Sequence, residues 1–213
     1  EAAPSNVTTL HGDDYQELSG VEIAISALKD ERLAVIGDEA KQGLIDIAAH
    51  DKDFDLMSFL NGAQDAFVII VEAFGAADKE TLKGLLAEPV FAAFSGAIEE
   101  REKAGQRMET EIHAIKRAEI IDAKLDKKTA FVTMRFIASE TSVTYGEDDE
   151  IVSGHPDATT DMRDMWVFAR DIKSSDPRWL VHETKGDFED DNESIPNADA
   201  ADESASIHAM SIA

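Results

Sequence analysis

The hydrophobic period of this chain changes once, near residue 105, and that change limits the fold more than any other feature. Before it, apolar residues recur at the spacing of one helix face; after it, they alternate with polar ones as strands do. The links between the later segments are too short for helical crossovers, so neighbouring strands must run antiparallel. Helices followed by a meandering sheet define an α+β fold.

In the helical part, Leu56, Phe59, Leu60, Ala63, Phe67, Ile70, Val71 and Phe74 form one stripe that must be buried along its length. Asp55 is placed to cap this helix, its carboxylate accepting from free backbone N–H groups, and Phe54 to staple onto Phe59. A second helix, Lys79 to Ala87, presents Leu82, Leu85 and Leu86 and is expected to stop at Pro89. A third, Val90 to about Lys103, faces inward with Phe91, Phe94 and Ile98. Upstream, Leu18, Val21, Ile25 and Leu28, then Ala40, Leu44, Ile47 and Ala48 after Gly37, read as two short amphipathic helices within residues 13–50. Residues 1–12 carry no period and read as a flexible tether.

In the strand part, Glu111–Leu125, Thr129–Tyr145, Arg163–Ile172 and Trp179–Thr184 give about four strands of a curved sheet, with 147–161 as the longest interruption. Residues 186–213 hold eight acids and no Lys or Arg, too little apolar surface to offset chain entropy, so a disordered acidic tail is expected. The folded domain is then 51–185.

Charge narrows the function. With 20 basic and 45 acidic residues among 213, the net charge is −25, which repels phosphate backbones and excludes sequence-independent nucleic-acid binding. Cysteine is absent, ruling out disulfides and thiolate chemistry. No stretch free of charged residues exceeds the eleven from Ala2 to Gly12, short of the roughly 20 that a spanning helix needs. The chain opens on Glu1 rather than Met, so a processed or shortened product is expected, which leaves a signal or anchor upstream open.

Sites for chemistry are sparse. The histidines at 11, 50, 113, 155, 182 and 208 include no i, i+3 or i, i+4 pair, and the acidic run Glu147–Glu150 lacks a calcium-loop ligand order, so neither metal nor cofactor is expected. No nucleophile elbow, phosphate loop or dinucleotide fingerprint occurs. His113, Glu119, Asp122 and Asp164 are the candidates for acid–base work, with a surface position on alternating strands as their ordinary explanation. Phe131, Phe136, Trp166, Phe168 and Trp179 on strands, with Phe91 and Phe94 on the third helix, either line an apolar cavity between sheet and helices or pack as an ordinary core; Phe91, Phe94, Phe136, Trp166 and Phe168 are the ligand-binding set expected. The run 101–128 has eight bases against six acids. Its Arg101, Lys103, Arg107, Lys116 and Arg117 are either a docking surface for an acidic partner or the charged edge of a hairpin.

Two clusters carry a family resemblance. The first is Phe54-Asp55-Leu56-Met57-Ser58-Phe59-Leu60-Asn61-Gly62-Ala63, followed by Ala73-Phe74-Gly75, Asp78, Leu82-Lys83 and Leu85-Leu86, then Val90-Phe91 and Phe94. The second is Trp166-Val167-Phe168-Ala169-Arg170-Asp171 with Ser175-Asp176-Pro177, Trp179 and Thr184. Together they resemble the Tim44-like domain over about Asp38 to Lys185. Within it, Gly62 is expected to permit close approach to the long helix, Asp176-Pro177 to make a hairpin turn, and Trp166 and Trp179 to anchor the sheet face.

The resemblance implies a cone-shaped α+β domain similar to the nuclear transport factor two fold, with an apolar pocket for lipid or peptide and peripheral attachment to an inner membrane. It implies a scaffold or adaptor rather than an enzyme, with a translocase or chaperone as protein partner. A small-molecule-binding or acid–base enzyme domain on the same fold is the alternative. In the family, membrane contact is assigned to helices that correspond here to Tyr15–His50. This chain departs from that pattern: residues 13–55 hold twelve acids and four bases, the wrong sign for an anionic leaflet. The acidity favours a bacterial relative on the cytoplasmic side, peripheral or held by an upstream anchor.

Overall fold

The computed structural model describes Gly20, Glu22, Ile25, residues 34–186 and residues 195–199. The elements in chain order are β1 (Ala34–Ile36), α1 (Asp38–His50), α2 (Leu56–Gly75), α3 (Lys79–Leu85), α4 (Glu88–Lys103), β2 (Arg107–Asp126), β3 (Thr129–Tyr145), β4 (Ile151–Gly154), β5 (Thr160–Asp171), β6 (Leu180–Gly186) and β7 (Ala198–Asp199). Helices precede an open sheet, which is the α+β order the period change implies.

α2 forms where its ends and its face dictate. Asp55 accepts a hydrogen bond from the Ser58 backbone N–H at 2.6 Å, and the Phe54 and Phe59 rings lie 6.3 Å apart, so cap and staple are both present. The inward stripe is buried: Phe67 and Ile70 are fully inaccessible. Its 20 residues are long and apolar enough to cross a bilayer, but that apolar face packs against the sheet. Asp78 caps α3 through the Thr81 N–H at 3.1 Å. Pro89 does not end α3. It sits in the first turn of α4, where its missing N–H has no carbonyl to meet and its fixed φ suits the helix.

The sheet runs β1-β2-β3-β5-β6-β7, with β4 also on β3. Ile120, Met134, Trp166, Thr184 and Ala198 form one cross-strand row. Three register shifts in β2, near Ile112, Ile115 and Ile120, kink that strand, and such bulges increase local bend and twist. Phe67 of α2 stacks on Phe136 at 4.4 Å and meets Trp166 at 4.9 Å, fixing helix to sheet at the centre of the core.

Three expectations for the sheet need correction. β1 adds in parallel to β2, with the Gly37 N–H donating to the Ile120 carbonyl at 2.9 Å; three residues are too few to show alternation. The interval 147–161 is not all loop, because β4 folds back on β3 where Gly154, at φ +77°, lies against the Ser142 carbonyl. The segment after 186 is not wholly an unfolded tail. Ile195 is buried, the Thr184 hydroxyl donates to the Pro196 carbonyl at 2.7 Å, and β7 pairs with β6. One buried apolar side chain and hydrogen bonds from Thr184 and Gly186 hold residues 195–199 against β6. The tether, the remainder of the tail and the first amphipathic helix lie outside the described residues, apart from Gly20, Glu22 and a buried Ile25.

α1 crosses β2 at contact distance. A Cβ on Gly43 would lie 1.7 Å from the Ala123 carbonyl oxygen, so only glycine allows this approach. Ala40, Leu44 and Ile47 are buried on the same side, while Asp38, Glu39 and Asp46 face outward.

Candidate functional site

An apolar cleft of about 160 Å³ opens between the first turns of α2, the end of α3 and the β5–β6 connection. Ser58, Phe59, Gly62, Ala63 and Ala66 supply one wall, Gly84 and Leu85 another, and Phe168, Trp179 and Arg178 the rest. Its shape follows from the sequence: the i, i+4, i+8 run Ser58, Gly62, Ala66 puts small side chains on one side of α2. Neither Gly62 nor Gly84 would meet a heavy atom within 4 Å if given a Cβ. Gly62 therefore leaves room for the cleft rather than for a neighbouring element.

Trp179 is the most constrained wall. Its ring lies 4.8 Å from Phe59 and 5.9 Å from Phe54, and the Arg170 guanidinium stands 5.5 Å from its centroid. Arg170 is itself buried and ion-paired with buried Asp51 in the α1–α2 connection. At the rim, the Arg178 guanidinium donates to both Asp176 carboxylate oxygens and, at 3.3 Å, to the Gly84 carbonyl, tying the turn to α3. That pairing holds the Asp176 carboxyl down to about 2 and pushes Arg178 up. Arg178 is the one ionisable residue of the lining.

The aromatic residues expected at a pocket divide. Phe168 borders the cleft and meets Phe59 edge-on at 5.8 Å. Phe94, Phe136 and Trp166 are fully buried in ring contacts with Phe74, Phe67 and Phe168, and Phe91 packs on the edge of the core. The basic residues are brought together less than their spacing suggests. Arg101 turns inward and caps α2, donating to the Phe74 and Gly75 carbonyls, and burial pushes its guanidinium pKa down. Arg107 pairs with Asp149 and lies over the Tyr145 ring, Lys116 pairs with Asp161, Arg117 pairs with Glu119, and Lys103 is exposed.

Of the acid–base candidates, His113 bonds Thr141 at 2.8 Å, Glu119 is shared between Arg117 and Arg135, and Asp122 is exposed. Asp164 points inward and is buried, as is Glu140 on β3, which alternation alone did not single out; neither lines the cleft. Among the described residues no group of three or more His, Asp or Glu side chains is placed to hold a metal.

The match to known proteins covers this whole unit: the Tim44-like domain model fits residues 40–186, from α1 to the end of β6. This chain belongs to the Tim44-like domain family. Within the Tim44-like family, a similar curated protein is the probable mitochondrial import inner membrane translocase subunit tin-44 of Caenorhabditis elegans, 25% identical over 142 residues. The match takes in 66% of this chain and 33% of that one, so the chain spans about a third of its relative's length. Among solved structures, the intermembrane space region of the chloroplast protein ARC6 aligns with 62% of this chain and 96% of its own, at 15% identity and a TM-score of 0.44. The cleft lies within the family match, as do Asp55, Gly62, Trp179 and the Asp51–Arg170 pair.

Proposed function

We propose that this Tim44-like domain is a membrane-associated scaffold or adaptor that uses the cleft to hold an apolar ligand, either a lipid chain or the apolar side chains of a peptide. The observation that carries this reading is the lining, in which nine of ten residues are uncharged, none is an acid or a histidine, and the single cation sits at the rim. Such a wall offers dispersion contacts and desolvation but no proton donor or acceptor in the carboxylate or imidazole range. The acid–base enzyme reading would need Asp164 or Glu140 to face this space.

The similarity to the nematode protein, a probable mitochondrial import inner membrane translocase subunit, supports a translocase or chaperone component as the protein partner. Attachment through α1 is disfavoured, because its apolar side is occupied by β2 and its outer side is acidic. Association at an inner membrane, on the cytoplasmic side of a bacterial cell, then depends on an anchor outside this chain or on the partner. Crosslinking in the native host from photoreactive residues placed at Leu85 and Arg178 tests this reading. Membrane translocase or chaperone components among the products support it, and recovery of metabolic enzymes alone contradicts it.

A further inference from the structure

Of the three exposed large apolar side chains among the described residues, two stand next to each other on β4: Ile151 is 47% accessible and Val152 50%. Among those residues β4 pairs with β3 alone, so its other side is a free sheet edge. The Gly146 N–H donates to the Glu150 carbonyl at 2.9 Å, and Ile151 stands opposite Tyr145 in the next pair. Successive residues of an antiparallel ladder turn their peptide groups to opposite sides, so the N–H and C=O of Ile151 point to the free edge.

Sheet edges are ordinarily guarded by lysine, proline or a charge within the strand. The β4 sequence, Ile-Val-Ser-Gly, carries none of these. The edge is also held in place. Arg107 reaches Asp149 at 3.0 Å, the Asp149 N–H donates to the Gly146 carbonyl at 3.2 Å, and a Cβ on Gly154 would lie 2.0 Å from the Ser142 carbonyl oxygen, so the hairpin is closed tightly on β3. A strand fixed in this way loses little freedom on accepting a partner.

Charge selects that partner. Residues 147–161 hold six acids and no Lys or Arg. Arg107 pairs with Asp149 and Lys116 with Asp161, which leaves Glu147, Asp148, Glu150 and Asp157 without a cation among the described residues. A second copy would bring the same carboxylates edge to edge and is disfavoured by like-charge repulsion, whereas a cationic chain is attracted.

We propose that β4 is a docking edge at which an extended segment of a partner protein, with Lys or Arg alternating with apolar residues, adds as a further strand. Its backbone bonds the free peptide groups of Ile151, its apolar side chains cover Ile151 and Val152, and its cations face the carboxylates of the β3–β4 turn. No residue of 147–154 lines the cleft, so docking here does not depend on what the cleft holds.

The probe is a fluorescein-labelled eight-residue peptide alternating lysine and valine, titrated into the full chain and read by anisotropy. Its counterpart with every backbone nitrogen methylated keeps the charge and side chains but has no N–H to give. The unmethylated peptide is expected to bind saturably and roughly tenfold more tightly than the methylated one. Ile151→Ser with Val152→Ser should weaken it by a similar factor while the thermal midpoint holds, because both side chains are exposed. Equal affinities of the two peptides would reduce the interaction to charge alone and overturn the proposal. Undiminished binding to the double serine variant, or no saturable binding at all, would overturn it too. So would a dimer of the wild-type chain that the double serine variant abolishes, which would assign the edge to a second copy.

Discussion

Gly62 on α2 and Gly84 on α3 border the same cleft, and neither would touch a heavy atom within 4 Å if it carried a Cβ. Glycine inside a helix costs about 0.5–1 kcal/mol relative to alanine, and packing does not require it at either place. Gly62→Ala and Gly84→Ala are therefore each expected to stabilise the domain by about that amount, read as a rise in the urea midpoint at constant slope. A loss of stability would mean that a neighbour occupies the space.

Gly43 is the opposite case. Its alanine variant would drive a methyl into the Ala123 carbonyl, an overlap that no rotamer relieves. Separating α1 from β2 is expected to cost about 3 kcal/mol or more, at the upper end of overpacking effects. Equilibrium unfolding of Gly43→Ala beside Gly62→Ala checks both signs in one experiment.

Phe136 and Trp166 belong to the core rather than to the cleft wall. Phe136→Ala removes the ring stacked on Phe67 and should cost about 3–5 kcal/mol. Apolar-probe affinity of the protein that remains folded should stay within twofold of wild type. A tenfold loss of affinity without loss of stability would move the site inward.

The buried Asp51–Arg170 pair is expected to behave asymmetrically. Arg170→Met alone strands a carboxylate and should cost about 3–5 kcal/mol, whereas adding Asp51→Leu should recover much of the loss, because desolvating both charges is itself unfavourable. Unfolding free energies of the four proteins in that cycle provide the test. Additive losses would contradict it.

Acid sensitivity has a defined window. The Asp176 carboxyl is held down to about 2, from an ordinary 3.8, by the Arg178 side chain and then by its backbone N–H. The capping carboxyls of Asp55 and Asp78 are lowered by bonds from Ser58 and Thr81. A carboxylate lowered on folding stabilises the protein above its unfolded pKa and loses that contribution as pH falls through the folded one. These groups should therefore leave the unfolding midpoint level at neutral pH and lower it between about pH 4 and 2. Carboxyl NMR of Asp176 should show its midpoint near 2, and a midpoint at 4 would refute the coupling.

What was legible in the sequence were local devices. The Asp55 cap, the Phe54–Phe59 staple and the stripe of α2 lie within a few residues of one another, so spacing alone specifies them. The long strands followed from alternation. β1, β4 and β7 did not, because strands of two to four residues show no period and form only when a partner edge is present. The same limit applied to the cleft. Seven aromatic residues were candidates, and only three-dimensional packing separates Phe168 and Trp179, which border open space, from Phe136, which meets Phe67. Trp179 and Arg178 join the cleft through a turn that brings them to α2 and α3, across about a hundred residues of sequence. Asp164 was a candidate whose ordinary explanation, an outward acid on an alternating strand, fails: it is buried, while Asp122 is exposed as expected.

The most direct test of the cleft as an apolar-ligand site is a fluorescence titration of wild type and Gly62→Leu with a dansyl-labelled single-chain fatty acid. The leucine side chain enters open space on α2, so stability should hold or rise while it fills the cleft beside Phe59 and Trp179. The predicted result is saturable binding with energy transfer from Trp179, weakened at least tenfold by Gly62→Leu. Equal affinity in the two proteins, or no saturable binding in either, would contradict the account.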